Sequence, residues 1–396
     1  MKILAIAPQP FFSPRGTPFS VYYRTLVKAE LGHQVDLLTY GQGQNVDIPG
    51  VNVIRIPTFK SFGDVKIGPS GMKLFLDVFI MLWTIALLLR NRYDLVHAHE
   101  EAVFICLLLK PLFRFKLIYD MHSSLPQQLE NFSFTKSRFL IGLFTFLENW
   151  SLNSANAVIT ICPDLYRYAR EMTATPDHVI LIENSIFDPV RYKNKSDSNG
   201  SQMEYSLPAC LNGSNKRVVT YAGTLEAYQG VDILIRAFKR VAAKIADAHL
   251  LIVGGTAIQV KQYKQLARIC GIASRVDFLG QVTPDLARKF NRASHVLVSP
   301  RSKGSNTPLK VYEQLSSGIP IVATNIYSHT QVLSSQVAIL VDPTPDALSK
   351  GLIRCLERLD QEEVRGIVVN AKQLYHDKYS RPIYERKMLQ VLRMVN

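Results

Sequence analysis

Short apolar segments alternate with helical patterns along the whole chain, and this alternation restricts the fold more than any other feature. Each apolar segment has the length and residue types of a strand buried on both faces of a parallel sheet. The predicted strands form two series, at residues 3–7, 34–38, 52–56, 95–98, 116–120, 157–160 and 179–182, and at residues 218–223, 250–254, 276–279, 295–299, 321–324 and 338–340. The sequence therefore predicts an α/β protein with two doubly wound parallel sheets.

A polar segment at residues 193–202 separates the two series and indicates a junction between domains. We expect a first Rossmann-like domain at residues 1–187, a polar linker at 188–215, a second Rossmann-like domain at 216–375 and a C-terminal helix at 376–396. A chain of 396 residues, of which 47% are hydrophobic, is long enough to build two full cores.

The composition limits which classes of partner and which cellular compartment are expected. The net charge is +14 and most of the surplus lies in the second half, so phosphate-bearing ligands, anionic lipid and nucleic acid are the partners to consider. Nucleic acid is not expected, because no nucleic-acid-binding module can be recognised. The five cysteines lack C-x-x-C spacing, which predicts a reduced, cytoplasmic protein without a zinc site. The apolar run at residues 1–8 is too short for a signal peptide and is interpreted as the first strand.

The segment at residues 74–89 is apolar on nearly all sides, is flanked by basic residues and contains Asp77. It is shorter than the about 18 to 20 apolar residues that a spanning helix needs, so no transmembrane helix is predicted. Two interpretations stay open, a core helix packed on the first sheet and a helix partly inserted at a membrane surface. A second apolar and basic segment at residues 104–119 slightly favours contact with a membrane.

Residues 305–313 have the pattern of a helix entrance that binds phosphate. Thr307 is suited to the N-cap position and Pro308 to the first helical position. Free backbone N–H groups and the positive end of the helix dipole would then face an anion. Full positive charges in the same region come from Arg301, Lys303 and Lys310. The expected ligand is a diphosphate.

Glu313 follows Lys310 by three residues and lies on the same face of the predicted helix. A carboxylate just behind a phosphate site is placed to accept hydrogen bonds from ribose hydroxyls. The alternative is an ordinary surface helix on which Lys310 and Glu313 form an ion pair.

These residues resemble the donor-site signature of glycosyltransferase family 4, the group 1 glycosyltransferases. In the family pattern E-G-x-G-x-x-x-x-E-A, Glu313 matches the second glutamate and Ser305 stands in place of the first. Residues 318–320 and the strand at 321–324 also match. The resemblance implies the GT-B fold, with two Rossmann-like domains facing a cleft and a last helix that returns to the first domain. It further implies a retaining, hexosyltransferase-type enzyme (EC 2.4) that moves a sugar from a nucleotide diphosphate donor to a hydroxyl acceptor.

The resemblance also implies which residues bind the donor. By position they are Gly16, Arg15, Thr224, Gln229, Gly254, Gly280, Arg301, Lys303, Ser305, Asn306, Thr307, Pro308, Leu309, Lys310 and Glu313. Glu313 is expected to act in catalysis as well. Thr224 and Gln229 stand where family members commonly carry an arginine and a lysine that hold the diphosphate. We expect the basic residues at positions 301, 303 and 310, together with helix N–H groups, to compensate.

Two motifs in the first half resemble strands of family 4 enzymes. Residues 94–99 match D-x-x-H-x-H, and residues 119–124 match the following strand end, where a histidine faces the reaction centre. His122 is therefore the expected active-site histidine. Further candidates on the acceptor side are Thr17, His99, Glu100 and Glu101. Because His97 and His99 share one side of their strand, at least one of them is expected to be structural.

The absence of a D-x-D triplet makes diphosphate binding through a metal unexpected, and no cofactor is predicted. The charge of the leaving group would instead be stabilised by a helix dipole and by cations. A lipid-linked or surface-polysaccharide acceptor is expected, with the protein cytoplasmic and peripheral at the membrane. Two alternatives stay open: a GT-B-fold sugar-nucleotide epimerase or hydrolase, and a non-catalytic scaffold that has lost the charged residues of the family.

Overall fold

The computed structural model describes residues 1–13, 16–58, 71–124, 126, 138–184, 187, 190–193, 207–212 and 215–396, with the backbone alone at 138–140. Two compact units make up the chain. The first contains Met1–Asn184, Val190–Asp197 and Arg381–Asn396, and the second contains Ser185–Pro189 and Ser198–Ser380. The C-terminal segment therefore belongs to the first unit.

The strands of the first unit are β1 (Lys2–Ala7), β2 (Gln34–Thr39), β3 (Val46–Asp47), β4 (Val51–Arg55), β5 (Leu95–His99), β6 (Lys116–Met121), β7 (Ala157–Thr160), β8 (Val179–Leu181) and β9 (Arg191–Tyr192). Seven of them form one parallel sheet in the order β4-β2-β1-β5-β6-β7-β8. All seven strands of the first predicted series are confirmed. Their side chains are almost entirely buried in β1, β5 and β7, which explains why these segments read as continuous apolar runs.

A second, two-stranded sheet in the first unit was not predicted. In it, β3 pairs antiparallel with β9, with Val46 opposite Tyr192. Each strand is two residues long, too short to show a period of its own. Residues 191–192 lie within the segment predicted as a linker, so part of that segment is tied to the first unit.

The strands of the second unit are β10 (Arg217–Ala222), β11 (Ala248–Val253), β12 (Val276–Gly280), β13 (Val296–Ser299), β14 (Ile321–Thr324) and β15 (Ile339–Val341). They form a parallel sheet in the order β12-β11-β10-β13-β14-β15, which confirms the second predicted series. The strand order reverses direction at β10, between β11 and β13. In open α/β sheets, ligands bind at the carboxyl ends of the strands beside such a switch point.

The helices are α1 (Gly16–Glu30), α2 (Gly71–Arg90), α3 (Ala102–Phe113), α4 (Arg138–Ser154), α5 (Pro163–Met172), α6 (Val231–Lys244), α7 (Ala257–Ile269), α8 (Pro284–Arg292), α9 (Leu309–Ser317), α10 (Tyr327–Thr330), α11 (Pro345–Glu357), α12 (Glu362–Tyr379) and α13 (Arg381–Met394). Apolar side chains of these helices cover the sheet of their own unit and build a separate core in each.

Helix α2 contains the apolar segment that left two interpretations open. It has 20 residues and a mean hydropathy of 2.1, so within the described residues it alone has the length and composition to cross a membrane. The prediction that this segment is too short to span was therefore wrong on length. A stripe at four-residue spacing, formed by Leu76, Ile80, Thr84 and Leu88, is buried as in a core helix. Only 22% of its most apolar 18-residue window is buried, however, and much apolar surface faces outward.

Candidate functional site

Three glycines lie at the carboxyl ends of neighbouring strands in the second unit, beside the switch point. Gly223 follows β10, Gly254 follows β11 and Gly280 ends β12. The Gly254 N–H donates to the Gly280 carbonyl oxygen at 2.6 Å. A Cβ at position 254 would lie 2.0 Å from the Gly223 carbonyl oxygen, and φ is +114° there, so only glycine fits. The predicted donor residues Gly254 and Gly280 thus form one tight backbone layer at the sheet edge.

Helix α9 begins at this same edge, after β13 and the loop that contains Arg301 and Lys303. The structure corrects its predicted start by one residue, because Pro308 is the N-cap with an extended ψ of 133° and Leu309 is the first helical residue. Thr307 therefore precedes the cap. Its hydroxyl is buried and has no hydrogen-bond partner within the described part of the chain. A buried hydroxyl without a partner beside a helix N-terminus is suited to contact an anionic ligand.

Lys310, in the first turn of α9, contacts the loop after β10 that contains Thr224 and Gln229. Its Nζ donates to Oε1 of Gln229 at 3.2 Å and lies 4.1 Å from the centre of the Tyr221 ring. The amide of Gln229 in turn donates to the Thr224 hydroxyl at 3.5 Å. Burial, followed by the nearby charge of Arg301, holds the pKa of Lys310 well below its usual value. The structure therefore places the Lys310 amine beside Gln229, which in turn contacts Thr224.

Arg301 lies in the loop between β13 and α9 and holds that loop in shape. Its guanidinium donates to the carbonyl oxygens of Lys303 at 2.7 Å and Asn306 at 3.1 Å, and it lies 5.1 Å from the Tyr228 ring centre. Burial lowers the pKa of Arg301. Lys303 is exposed, whereas Arg301 and Lys310 are partly buried.

Glu313 does not pair with Lys310, and the alternative of a surface ion pair between them was wrong. Its carboxylate lies 3.2 Å from Nε of Arg288 on α8 and is only 17% exposed. Burial raises the pKa of Glu313, and the charge of Arg288 opposes that rise. Ser305, at the position of the missing first glutamate, uses its carbonyl oxygen to accept a hydrogen bond from Gln331.

In the first unit, histidines collect at the carboxyl ends of β5 and β6. His122 follows β6 directly and is buried, with Nε2 3.3 Å from Nδ1 of His99. The rings of His97 and His99 stack with their centres 4.4 Å apart. Both rings are almost completely buried, and the expectation that at least one of them is structural stays a prediction.

Asp120 lies at the centre of this group and was not predicted as a site residue. Its carboxylate pairs with the Arg24 guanidinium, with both side chains fully buried, and it accepts from Nε2 of His97 at 3.1 Å. On the other side of His97, Nδ1 contacts Nζ of the buried Lys28. A carboxylate in an apolar strand, and two cations four residues apart in α1, were the signals in the sequence.

The pKa values of this cluster follow from its burial and charges. Burial, reinforced by Lys28, lowers the pKa of His97 to about 3, and burial lowers that of His122 to about 4. Burial likewise lowers the pKa of Lys28 to about 7. Burial alone would raise the pKa of Asp120, but the Arg24 charge holds it well below its usual value. His122 is therefore a neutral imidazole at neutral pH.

The remaining acceptor-side candidates lie at the ends of neighbouring elements. Glu100 directly follows β5 with φ of +51°, a conformation that non-glycine residues adopt at a cost and that is concentrated at functional sites. Burial, followed by the charge of Glu101, raises the pKa of Glu100 to about 7. Glu101 itself pairs with Lys73 at 2.7 Å. Gly16 and Thr17 open α1, while Arg15 lies outside the described residues.

Two clusters have a metal-type set of side chains within the described residues. The first is His97, His99 and Asp120, where the Arg24 guanidinium already pairs with the carboxylate and Lys28 contacts the ring of His97. A further cation would be repelled there.

The second cluster is Cys210, His249 and Asp277, in which His249 and Asp277 are already bonded at 2.9 Å. These residues lie near the amino ends of β11 and β12, away from the edge that carries Gly254. Neither cluster is assigned as part of the donor site.

Comparison with known proteins agrees with this geometry. The family model described as Glycosyl transferases group 1 matches residues 216–358, and the model described as Glycosyl transferase 4-like domain matches residues 23–185. The first match spans the whole sheet of the second unit, and the second match spans the first unit from β2 to β8. They include His122 in the first unit and Gln229, Lys310 and Glu313 in the second.

Individual relatives and solved structures are similar over nearly their full length. An uncharacterized glycosyltransferase of Methanocaldococcus jannaschii is 25% identical over 363 residues, covering 88% of this chain and 86% of the relative. Phosphatidyl-myo-inositol mannosyltransferase of Mycolicibacterium smegmatis is 23% identical over 406 residues, covering 100% and 94%. Anabaena HepE, solved in complex with UDP-glucose, has a TM-score of 0.71 at 17% identity, covering 99% of each chain. With both family models matched and the fold shared, the chain belongs to the group 1 glycosyltransferases of the GT-B type.

Proposed function

We propose that this glycosyltransferase moves a hexosyl group from a nucleoside diphosphate sugar to a hydroxyl acceptor, with retention and without a metal ion. The observation that carries the donor part of the proposal is the position of Lys310, whose Nζ lies 3.2 Å from Gln229 at the start of α9. There the cation faces the loop in which Thr224 and Gln229 replace the usual basic residues. Helix N–H groups and the Thr307 hydroxyl supply further polar contacts.

The chemistry proposed for the second unit is stabilisation of the leaving nucleoside diphosphate. Negative charge grows on the diphosphate as the bond to the sugar breaks, and Lys310, Arg301 and the α9 dipole lie ready to meet it. A partly buried cation acts more strongly on that charge than an exposed one. The low pKa of Lys310 in the free protein is consistent with a site built for an anion, since a bound diphosphate would favour the charged form.

Uracil is the first base to test for the donor. Anabaena HepE shares the fold and has been solved with UDP-glucose, which supports this choice. Glu313 is proposed to accept hydrogen bonds from the ribose or the sugar, in place of its present contact with Arg288.

Donor and acceptor roles can be separated by steady-state kinetics with radiolabelled UDP-glucose and product analysis with and without a lipid acceptor extract. We expect Glu313→Ala to raise KM for the donor and His122→Ala to lower kcat with little change in that KM. Exposed residues of the same types, Glu362 and His376, provide the matched alanine controls. Release of glucose without any transfer would favour the hydrolase alternative, and unchanged kinetics in both site variants would remove the site assignment.

We also propose a lipid-linked acceptor, reached by a protein peripheral to the inner face of the membrane. Helix α3 contacts both α2 and α4, and all three present large apolar side chains to the outside. The members of this apolar face are Leu74, Val78 and Leu82 of α2, Leu108 and Leu112 of α3, and Leu143, Phe146 and Trp150 of α4. The similarity to a mannosyltransferase of phosphatidyl-myo-inositol supports a lipid-linked acceptor.

The charges around the apolar face suit an anionic lipid surface. Lys110, Arg114 and Lys116 lie around the carboxyl end of α3, next to Leu112. Basic side chains at the rim of an apolar face attract anionic headgroups while the apolar side chains enter the interface.

Vesicle flotation tests the membrane contact directly. We expect wild type to float with phosphatidylcholine vesicles that contain phosphatidylglycerol, and L108D/L112D to lose at least about tenfold in affinity because each leucine would bury several CH₂ groups worth about 0.8 kcal/mol each. I258D/I269D is the matched control, because these isoleucines are similarly exposed on α7 of the second unit. Equal flotation of both double variants would contradict the assignment of this face.

A further inference from the structure

The last helix contributes a side chain to the buried histidine cluster of the first unit. Tyr384, near the start of α13, is buried, and its hydroxyl oxygen accepts a hydrogen bond from Nη1 of Arg24 at 3.0 Å. The Arg24 guanidinium also lies 5.7 Å from the Tyr384 ring centre. Tyr384 is far from β5 and β6 in sequence, so no local pattern connects it to them.

Arg24 is held on three sides. Besides Tyr384, its Nη2 donates to the carbonyl oxygen of Ile182 at 3.1 Å, and its Nε faces the Asp120 carboxylate. The guanidinium is rigid and planar, so fixing two of its nitrogens fixes the third. The position of Arg24 against Asp120 therefore depends on Tyr384.

The Asp120 carboxylate that Arg24 holds also lies next to His99 and His122. Its Oδ1 lies 3.4 Å from Nε2 of His122, and its Oδ2 lies 3.4 Å from Nδ1 of His99. A carboxylate that is ionised only accepts hydrogen bonds, so a ring nitrogen facing it is favoured in its N–H form. Nε2 of His122 and Nδ1 of His99 also face each other at 3.3 Å, so one of them carries the proton while the other accepts, and the position of Asp120 biases that choice.

We propose that Tyr384 is a positioning residue for His122, acting through Arg24 and Asp120, so that the return of the last helix to the first unit completes the candidate active site. The proposal rests on the proposed function in that it assigns His122 to the reaction centre. It goes beyond that function in making α13 part of the catalytic apparatus.

The charge environment of His122 sets the direction of the expected change. The titratable and charged groups around it are Asp120 on β6, His97, His99 and Glu100 at β5, Arg24 and Lys28 on α1, and Tyr384 on α13. Burial lowers the pKa of His122, Asp120 raises it, and Arg24 lowers it further. If Arg24 is less firmly held on Asp120, the carboxylate acts on His122 with less opposition, and the pKa of His122 rises.

The test compares two substitutions that each remove one contact between α13 and the rest of the first unit. Tyr384→Phe removes only the hydroxyl that Arg24 uses. Lys387→Met removes the ion pair with Glu183 at 2.9 Å, which docks the same helix next to the Ile182 carbonyl used by Arg24, but it leaves the Tyr384 hydroxyl in place. The readout is the ¹⁵N spectrum of histidine-labelled protein, in which His122→Gln identifies the His122 signals among nine histidines.

We expect Tyr384→Phe to move the His122 ring signals, to raise the pKa of His122 and to lower kcat about tenfold, or about 1.4 kcal/mol, at unchanged donor KM. Lys387→Met should leave the ring signals and kcat within error of wild type. If both variants leave the His122 signals unmoved, or both move them equally, the proposal is overturned.

A second variant, Arg24→Lys, tests the proposal if Tyr384→Phe does not fold. Arg24→Lys keeps the charge but lacks the planar fork that joins Tyr384 to Asp120, so it should give the same spectral change. The spectra also separate this proposal from the proposed function. Shifted His122 signals in a protein without transferase activity would leave the coupling standing, and unshifted signals in an active enzyme would remove the coupling alone.

Discussion

Replacing Asp120 by Asn tests whether the buried charges of the first unit depend on one carboxylate. Arg24 and Asp120 are both fully buried, and Lys28 lies fully buried on the next turn of the same helix. Asn keeps the shape of the side chain but removes its charge. The substitution therefore leaves the Arg24 guanidinium in the interior without its counter-ion.

The magnitude follows from the burial of the pair. Removing one partner of a buried ion pair costs about 3–5 kcal/mol, because the remaining charge stays desolvated without compensation. An urea m-value of about 2–3 kcal/mol/M converts this loss into a fall of about 1–2.5 M in the unfolding midpoint. The double variant D120N/R24M should lose less than the sum of the two single variants, because it removes both charges.

Tryptophan fluorescence reports the unfolding of the first unit, which contains Asp120. Both tryptophans, Trp83 and Trp150, lie in the first unit, so their signal reports its unfolding and not that of the second unit. Asp94→Asn is the control, since Asp94 accepts a hydrogen bond from the backbone N–H of Lys2 at an exposed position. A midpoint for Asp120→Asn that falls no further than that of Asp94→Asn would refute the role of the buried carboxylate.

Two further predictions concern stability. The unfolded chain keeps the Lys28 proton up to about its ordinary pKa of 10.5, while the folded protein releases it near pH 7. The free energy of unfolding of wild type should therefore rise with pH between these values, by up to about 1.4 kcal/mol per pH unit relative to Lys28→Met. Urea unfolding across that pH range measures the difference. Gly254→Ala should destabilise the second unit by about 1–3 kcal/mol in calorimetry, because φ is +114° and the Gly223 oxygen blocks the Cβ, whereas Gly366→Ala, in open space on α12, should be neutral or stabilising. Parallel pH curves for the two Lys28 forms, or equal effects of the two glycine substitutions, would contradict these assignments.

The sheets could be predicted from the sequence because their strands are buried on both faces. Segments such as 157–160 and 321–324 are continuous apolar runs whose ends coincide with the strand ends in the structure. The pair of β3 and β9 could not be predicted, since two residues carry no period and their pairing depends on the fold of everything between them.

The donor side of the site could be predicted where its residues lie close together in the sequence. Residues 305–313 lie in one loop and one helix, and Lys310 contacts Gln229, while the compensation for the missing basic residues stays a prediction. The N-cap was misplaced by one residue because Thr307 and Pro308 both suit the start of a helix. The partner of Glu313, Arg288, comes from another helix, and nothing in the spacing pointed to it.

The network around Asp120 could not be predicted because its members are distant in the sequence. Asp120 reads as the end of an apolar strand, and Arg24 and Lys28 read as ordinary cations of an amphipathic helix. Only the packing of α1 and α13 against the sheet brings these charges together in the interior. Charged residues in otherwise apolar segments were the single available hint.

The central claim, that the second unit binds a nucleoside diphosphate through Lys310 without a metal ion, is tested most directly by titration calorimetry. UDP, GDP and ADP are titrated in EDTA into wild type, Lys310→Met and the control Lys350→Met, whose lysine is exposed on α11. We predict selective binding of one nucleotide to wild type and to Lys350→Met, and a loss of about tenfold or more in Lys310→Met, because a charge-assisted hydrogen bond contributes about 1.5–3 kcal/mol. Equal affinity in all three proteins, or no binding of any nucleotide to wild type in EDTA, would contradict the account.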